Sequence, residues 1–316
     1  MVEKLASNRT VVTIFLILTT IYIMAMIAID DSLQFDIFES ITIGNIGVIV
    51  LLFCASIMIR YIRWFMLMRN HSVEHNFNQG LLFYVSGFAY TATPGKIGEL
   101  SRAIHYNTIG VPSYIVISCF IIERFFDLIA VLLISSIVFI NIDGLSFVAF
   151  AILFTISIVL WFIVDKRLLK ILSRWAIRLR INKLSRLLVL FHVVFNNIRH
   201  NINCKQSFIC LILGLIAWSM TALILVYSCY LFKLDIDFSI LYSIYPVAML
   251  SGAVSFIPGG IGATEAVIVM LLSYFDTPVA TASIIAIIVR FSTLWLAILV
   301  GMVCTVRLSL SAAYSE

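Results

Sequence analysis

The chain has 316 residues, of which 62% are hydrophobic and only 12% are charged. Its 21 Lys and Arg and 16 Asp and Glu residues are too few to keep the surface of a soluble protein of this size hydrated, which excludes an ordinary soluble fold. Lipid is therefore expected to surround most of the chain. The net charge of +5 does not sit in a soluble basic domain with base-stacking aromatic residues, so nucleic acid is not an expected partner.

The apolar runs predict the membrane spans, since about 20 such residues form one helical crossing of a bilayer core about 30 Å thick. Six spans are predicted, near 11–29, 41–59, 112–140, 145–164, 207–231 and 279–304. The first run ends without an Ala-x-Ala site, and we interpret it as a retained helix rather than a signal peptide. Two more apolar stretches, 80–93 and 240–257, each end in a Pro-Gly-rich break and are predicted to be re-entrant hairpins. The predicted fold class is an all-α polytopic integral membrane protein, with residues 1–316 forming a single membrane domain.

The distribution of Lys and Arg predicts the orientation. The segment 165–205 holds ten of the 21 basic residues against one acid, Asp165, so it is predicted to be cytoplasmic. The loop 30–40 holds four acids and no Lys or Arg, so it is predicted to be outside, and both termini are then cytoplasmic. Cations and apolar residues alternate through 165–205 at roughly helical spacing, typical of an amphipathic helix on an anionic leaflet. A helix that packs on the protein, with its cations only fixing topology, is an equal alternative.

An internal repeat relates residues 80–140 to residues 240–304. Residues 94–99 read Pro-Gly-Lys-Ile-Gly-Glu, and residues 258–265 read Pro-Gly-Gly-Ile-Gly-Ala-Thr-Glu. In each copy a Pro follows the glutamate after 13 residues and an Arg-Phe pair follows it after 25. Three predicted crossings separate the copies, and an odd number inverts the second copy. Inverted repeats with broken helices are the architecture in which transporters place a substrate site near the bilayer midplane.

Each Pro-Gly break is predicted to end one helical arm and to start another near Glu99 or Glu265. Non-helical backbone at membrane depth survives only where protein buries it or where it lines a wet cavity. A helix that starts at such a break directs free N–H groups and its positive dipole end toward the centre, which favours an anion. The backbone N–H groups near Gly98 and Gly262 are therefore candidate anion donors.

Ionisable residues inside the apolar spans strengthen this interpretation. Glu123, Arg124 and Asp127 lie in the middle of the 112–140 span, and Arg290 lies inside the 279–304 span. A charge at that depth costs several kcal/mol unless it is paired or hydrated. Two readings remain open and are compatible: contact with substrate, or a buried ion-pair network that clamps the two arginines to nearby carboxylates.

The two copies differ mainly in charge, because Lys96 stands where the second copy has Gly260. We call the helical arm after each break its return arm. Arg102 and His105 make the first return arm polar, whereas the second is almost wholly apolar. An amphiphile with an anionic headgroup and an apolar tail, presented from the inner leaflet, would suit both halves. The cysteines form no Cys-x-x-Cys pair and the histidines show no ligand spacing, so we expect neither a metal nor a cofactor.

These features resemble the flippase-like membrane region of the lysylphosphatidylglycerol synthase family. The resemblance rests on Arg60 to Trp64, on the two Pro-Gly breaks, on the run from Glu123 to Asp127, and on Arg290. It implies translocation of a lipid, an aminoacyl-phospholipid in the best-known members. The sequence ends at Glu316, shortly after the last span, so we expect a stand-alone relative without the soluble aminoacyl-transferase domain, and lysylphosphatidylglycerol synthesis is not carried over.

The leading hypothesis is a flippase in the cell membrane that moves an anionic phospholipid or a polyprenyl-linked lipid. The alternatives are a membrane-embedded transferase acting on a lipid phosphate, and a scaffold for a cell-envelope glycosyltransferase. Membrane lipids are the expected partners, a lipid-modifying envelope enzyme is a further candidate, and a homodimer is one of several open oligomeric states. The candidate substrate-binding residues are Pro94, Gly95, Lys96, Gly98, Glu99, Arg102, Glu123, Arg124, Asp127, Pro258, Gly259, Gly260, Gly262, Glu265 and Arg290.

Overall fold

The computed structural model describes residues 42–71, 73–141, 147, 151 and 203–313. The described part contains helices and turns, and no strand is found within it. Three segments there are long and apolar enough to cross a membrane, namely Ile43–Asn70, Lys205–Leu231 and Val279–Leu310. The 29-residue helix Ser113–Asn141 is equally long but carries three ionisable residues near its middle. The chain is an all-α integral membrane protein, as predicted.

The long helices begin close to the predicted spans, but two of them run past the predicted ends at 59 and 304, to Asn70 and Ala313. Helix α1 is Ile43–Asn70, and the first hairpin consists of α2 (Phe77–Ser86), two 3-10 turns (Gly87–Tyr90 and Pro94–Ser101) and α3 (Arg102–Thr108). Helices α4 (Ser113–Asn141) and α5 (Cys204–Leu231) follow. The second hairpin consists of α6 (Phe238–Val254), a 3-10 turn (Pro258–Gly260) and α7 (Ala263–Tyr274), and α8 (Val279–Arg290) leads through a π-helical turn (Phe291–Trp295) into α9 (Leu296–Ala313).

Several predictions lie outside the described residues and stay predictions. These are the span 11–29, all but two residues of the span 145–164, the outer loop 30–40 and nearly all of the basic segment 165–205. One prediction within the described part is wrong in detail. The first return arm does not start as an α-helix at Glu99 but runs as a 3-10 helix over Pro94–Ser101 and becomes α-helical at Arg102, because Gly95 and Lys96 both take positive φ angles.

Local capping explains where the helices start. Thr42 accepts a hydrogen bond from the N–H of Asn45 at the start of α1, and Asp237 accepts one from Ser239 at the start of α6. Asn203 and Gln206 form a reciprocal capping box at the start of α5. These caps satisfy N–H groups that have no partner inside the helix.

Two apolar clusters flank the centre of the described part. One joins α1, α4, α5, α6, α7 and α8 through buried residues such as Trp218, Ile244 and Ile285. The other joins α1 to the first hairpin and α4, and it is rich in aromatic residues such as Trp64 and Tyr84. Five cysteines are described and all are free, and three of them, Cys119, Cys210 and Cys229, are fully buried. Arginines contact both clusters, since Arg60 lies over the Trp218 ring and Arg102 lies over the Trp64 ring.

Candidate functional site

Each hairpin forms an ion pair across the same sequence separation of 25 residues. Arg290 donates through Nε to Glu265 Oε1 at 2.9 Å. In the first copy, Arg124 Nη2 lies 3.8 Å from Glu99 Oε2. The glutamate lies just after the break and the arginine lies on the following long helix, α8 or α4. The structure therefore brings together the residues that the repeat spacing had matched.

The tip of the second hairpin is closed by its own hydrogen bonds. Glu265 Oε2 accepts from the N–H of Gly262 at 2.8 Å, and Arg290 Nη2 donates to the carbonyl oxygen of Gly259 at 2.6 Å. Gly259, Gly260 and Gly262 have φ angles of 65°, 64° and 86°, in the left-handed region that favours glycine. The proposal of the Gly262 N–H as a free anion donor is wrong, because Glu265 already occupies it.

The tip of the first hairpin turns through Gly95 (φ 62°) and Lys96 (φ 57°). A lysine in this conformation is costly, because its Cβ approaches the backbone too closely. The N–H of Gly98 donates to Thr93 Oγ1 at 2.7 Å, so it is also unavailable as an anion donor, contrary to expectation. Gly98 serves for close packing instead, since a Cβ at this position would lie 2.5 Å from the carbonyl oxygen of Tyr90.

A larger network surrounds the first tip, and it recruits two arginines from α1. Arg63 Nη2 lies 2.7 Å from Asp127 Oδ1, and Arg60 Nη1 lies 3.2 Å from Asp127 Oδ2. Arg124 Nη2 lies 3.2 Å from the same Asp127 oxygen and 3.4 Å from Glu123 Oε2. Neither Arg60 nor Arg63 was among the predicted site residues. Their spacing of three places both on one face of α1, and this spacing near the end of an apolar helix was the available signal.

Arg102 and Glu123 hold this network together from the interior. Arg102 Nη2 lies 3.1 Å from Glu99 Oε2 and 3.4 Å from Glu123 Oε2. Its guanidinium lies 4.1 Å from the centre of the Trp64 ring and 4.7 Å from that of Tyr84, whose hydroxyl donates to Glu123. The side chains of Arg102 and Glu123 are both 0% exposed, and neither lines either of the two spaces described below. Both were predicted to bind substrate, and their placement gives them a positioning role instead, because both side chains are buried and each contacts other charged residues of the network.

Two adjoining spaces meet beside Lys96 and Arg124. The first, which we call the polar cavity, has a volume of about 100 Å³, and the second, which we call the apolar cleft, has a volume of about 190 Å³. The residues that line both are Lys96, Arg124, Trp218, Met249 and Gly259. The other polar residues of the polar cavity are Ser56, Arg60, Thr91, Glu99, Thr221, Arg290 and Thr293.

Lys96 differs from the arginines around it. Within the described residues, no carboxylate oxygen lies within the 4.0 Å ion-pair distance of its ammonium group, whereas Arg124 contacts three carboxylates. Around the first tip, the described residues supply five cations against three carboxylates, namely Arg60, Arg63, Lys96, Arg102 and Arg124 against Glu99, Glu123 and Asp127. The second tip adds one cation and one carboxylate, which neutralise each other. An excess of positive charge therefore adjoins the two spaces, and a buried charge of this kind favours an anionic ligand.

Comparison with known proteins gives the fold a family. The model of the lysylphosphatidylglycerol synthase TM region matches residues 9–301. The chain belongs to this family. A phosphatidylglycerol lysyltransferase of Staphylococcus haemolyticus is 27% identical over 116 residues, which is 37% of this chain and 14% of the relative. A phosphatidylglycerol lysyltransferase of Staphylococcus epidermidis is 25% identical over 114 residues, 36% of this chain and 14% of the relative.

Family membership supports a membrane location and a role related to membrane lipids. The aligned part spans only about a seventh of these lysyltransferases, 14% of their length.

Most of the predicted site residues lie around the two hairpin tips. Eight of them line one or both spaces: Gly95, Lys96, Glu99, Arg124, Asp127, Gly259, Gly260 and Arg290. Pro94 and Pro258 start the 3-10 turns at the tips, and Gly98, Arg102, Glu123, Gly262 and Glu265 support the tips without lining either space.

Proposed function

We propose that this chain is a lipid transporter that moves an anionic phospholipid or polyprenyl-linked lipid across the cytoplasmic membrane. The headgroup binds between the two hairpin tips, at Lys96 and Arg124. The observation that carries the proposal is that these two cations line both spaces, while the surrounding charges leave an excess of positive charge.

The two cations have different roles in this proposal. Arg124 is held in place by Glu99, Glu123 and Asp127, so its guanidinium presents a fixed direction to a phosphate. Lys96 has no such fixed partner and supplies a mobile point charge that can follow the headgroup. On the opposite side, Arg290 and Glu265 stabilise the conformation of the second tip, so the guanidinium of Arg124 faces a rigid turn.

Transport rather than simple binding is supported by contact between the two tips. A Cβ on Gly259 would lie 3.6 Å from the Cα of Ala92, so the second tip abuts the first hairpin directly. Ala92 and Ile261 also pack against the small buried cluster of Leu294, Trp295 and Ile298. In transporters built from inverted repeats, one repeat moves against the other around a fixed midplane site. A headgroup between abutting tips would be released to either side as the two tips separate.

The experiment is translocation of a fluorescent anionic lipid in liposomes that contain the purified protein. We expect Arg124→Gln to slow transfer between leaflets at least tenfold, because the variant removes the fixed cation. Arg69→Gln is the matched control, since it removes an exposed arginine on α1 that lies outside both spaces. Equal transfer rates for the wild type, Arg124→Gln and Arg69→Gln would contradict the proposed site.

A further inference from the structure

The apolar cleft is lined by charged residues at one end and by apolar residues at the other. Along α4 it is lined by Arg124, Asp127, Leu128 and Val131, which share a face of the helix. This stripe covers about 10 Å at 1.5 Å per residue. The opposite wall comes from α6 and the segment after it, through Leu250, Ala253, Phe256 and Ile257. The polarity of the lining therefore changes within a single continuous space.

The apolar end of the cleft reaches the surface of the protein. Leu128 is 48% exposed and Phe256 is 77% exposed, and Ala253 is also exposed. The charged end is covered, since Asp127 is buried and the tip of the second hairpin closes against α6 at Gly252. A Cβ on Gly252 would overlap with Thr264 Oγ1 and lie 3.3 Å from the Cα of Gly260, so a larger residue here would force the tip of the second hairpin away from α6. The cleft is thus open sideways at its apolar end, and at its cationic end it adjoins the polar cavity.

We propose that the apolar cleft between α4 and α6 is the site for the hydrocarbon chain of the transported lipid and its lateral entrance from the bilayer. This inference rests on the proposed function, because it uses the headgroup site at Lys96 and Arg124. A lipid in this position would keep its chain against Leu128 and Ala253 while its phosphate meets the two cations. The polar cavity beyond Trp218 would then receive the part of the headgroup farthest from the chain.

Charge complementarity selects this occupant over a neutral one. An apolar helix or a neutral lipid in the cleft would leave the ammonium of Lys96 without a counter-charge at membrane depth, which is unfavourable. A small water-soluble anion would satisfy the cations but leave the exposed apolar wall unfilled. An amphiphile with one anionic end satisfies both ends, because its phosphate meets the two cations while its chain covers the apolar wall.

The experiment places a bulky side chain in the cleft and measures binding of diacyl phosphatidic acid to the purified full chain by titration in native mass spectrometry. We expect Ala253→Trp and Leu128→Trp to raise the Kd for this lipid at least tenfold, because the indole occupies the space of the chain. Val254→Trp is the matched control, since Val254 is the neighbouring exposed residue on α6 and does not line the cleft. Unchanged Kd values for Ala253→Trp and Leu128→Trp would overturn the inference.

A second arm covers the case in which the tryptophan variants fail to fold. Ala253→Cys is purified in its folded state and then labelled with a bulky thiol reagent, with wild type and Val254→Cys treated identically. We expect labelling to weaken phosphatidic acid binding tenfold only in Ala253→Cys, and equal binding in all three labelled proteins overturns the inference. Arg124→Gln separates the two proposals. If it keeps wild-type affinity while the cleft variants lose theirs, the headgroup site is wrong; if it alone loses affinity, the chain site is wrong.

Discussion

The two hairpin tips carry the same Glu–Arg pair at the same spacing but differ in what surrounds it. At the second tip, Arg290 and Glu265 bind each other and the backbone of Gly259 and Gly262, so their hydrogen bonds are used within the tip. At the first tip, Arg124 is shared among three carboxylates, and the additional Lys96 contacts both spaces. The pair at the second tip therefore acts as a structural clamp, whereas the first tip presents two cations to both spaces.

The largest stability effect is expected at the clamp. Arg290→Met should lower the free energy of unfolding by about 3 kcal/mol, because it leaves Glu265 without its partner in a largely buried place. The double variant Glu265→Gln/Arg290→Met should recover much of this loss, since it leaves no unpaired charge. Unfolding in detergent with increasing denaturant measures both variants. A single variant as stable as the wild type, or a double variant no better than the single one, would show that the pair is not a clamp.

The next largest stability effect is expected at the glycines in corresponding positions of the two tips, where substitution by alanine should cost different amounts. Gly98→Ala is expected to cost about 2 kcal/mol by overpacking, since its Cβ would lie 2.5 Å from the carbonyl oxygen of Tyr90. Gly262→Ala has open space around the new Cβ, so it should cost only the strain of a φ of 86°, about 1 kcal/mol. Thermal melting of the two variants checks the order. A greater loss of stability in Gly262→Ala would contradict the described packing of the first tip.

The smallest stability effect is expected at Lys96, where the functional effect should nevertheless be large. Lys96→Gly removes the backbone strain of a lysine with a positive φ angle, but it also raises the conformational entropy of the unfolded chain. The two effects on the free energy of unfolding should offset each other to within about 1 kcal/mol. Lipid transfer in liposomes should still fall at least tenfold, because the mobile cation is gone. Lys205→Gln, an exposed lysine near the start of α5, is the charge-loss control. Transfer at the wild-type rate in Lys96→Gly would assign this residue to the turn alone.

The sequence alone could predict much of this comparison, for identifiable reasons. The length of apolar runs predicted α1, α4 and α5 to within a few residues at most ends, because the bilayer sets the length of a crossing helix. The equal spacing from glutamate to arginine aligned the two copies, and a buried ion-pair network of these residues was one of the two interpretations that the sequence left open. The charge difference between the tips was visible as Lys96 against Gly260.

Other features depend on packing between distant parts of the chain. Arg60 and Arg63 reach Asp127 across more than 60 residues, and the contact follows from how α1 lies against α4. The N–H groups of Gly98 and Gly262 looked free because their acceptors, Thr93 and Glu265, depend on the exact turn at each tip. The lining of the apolar cleft likewise needs the relative position of α4 and α6, which no local pattern contains.

The central claim is that an anionic headgroup binds at Lys96 and Arg124, and the lipids retained during purification test it most directly. Native mass spectrometry of the protein purified in mild detergent should show bound anionic lipid on the wild type and on Lys205→Gln. It should show little or none on Lys96→Gly and Arg124→Gln. The same occupancy by anionic lipid in all four proteins, or only neutral lipid on the wild type, would contradict the account.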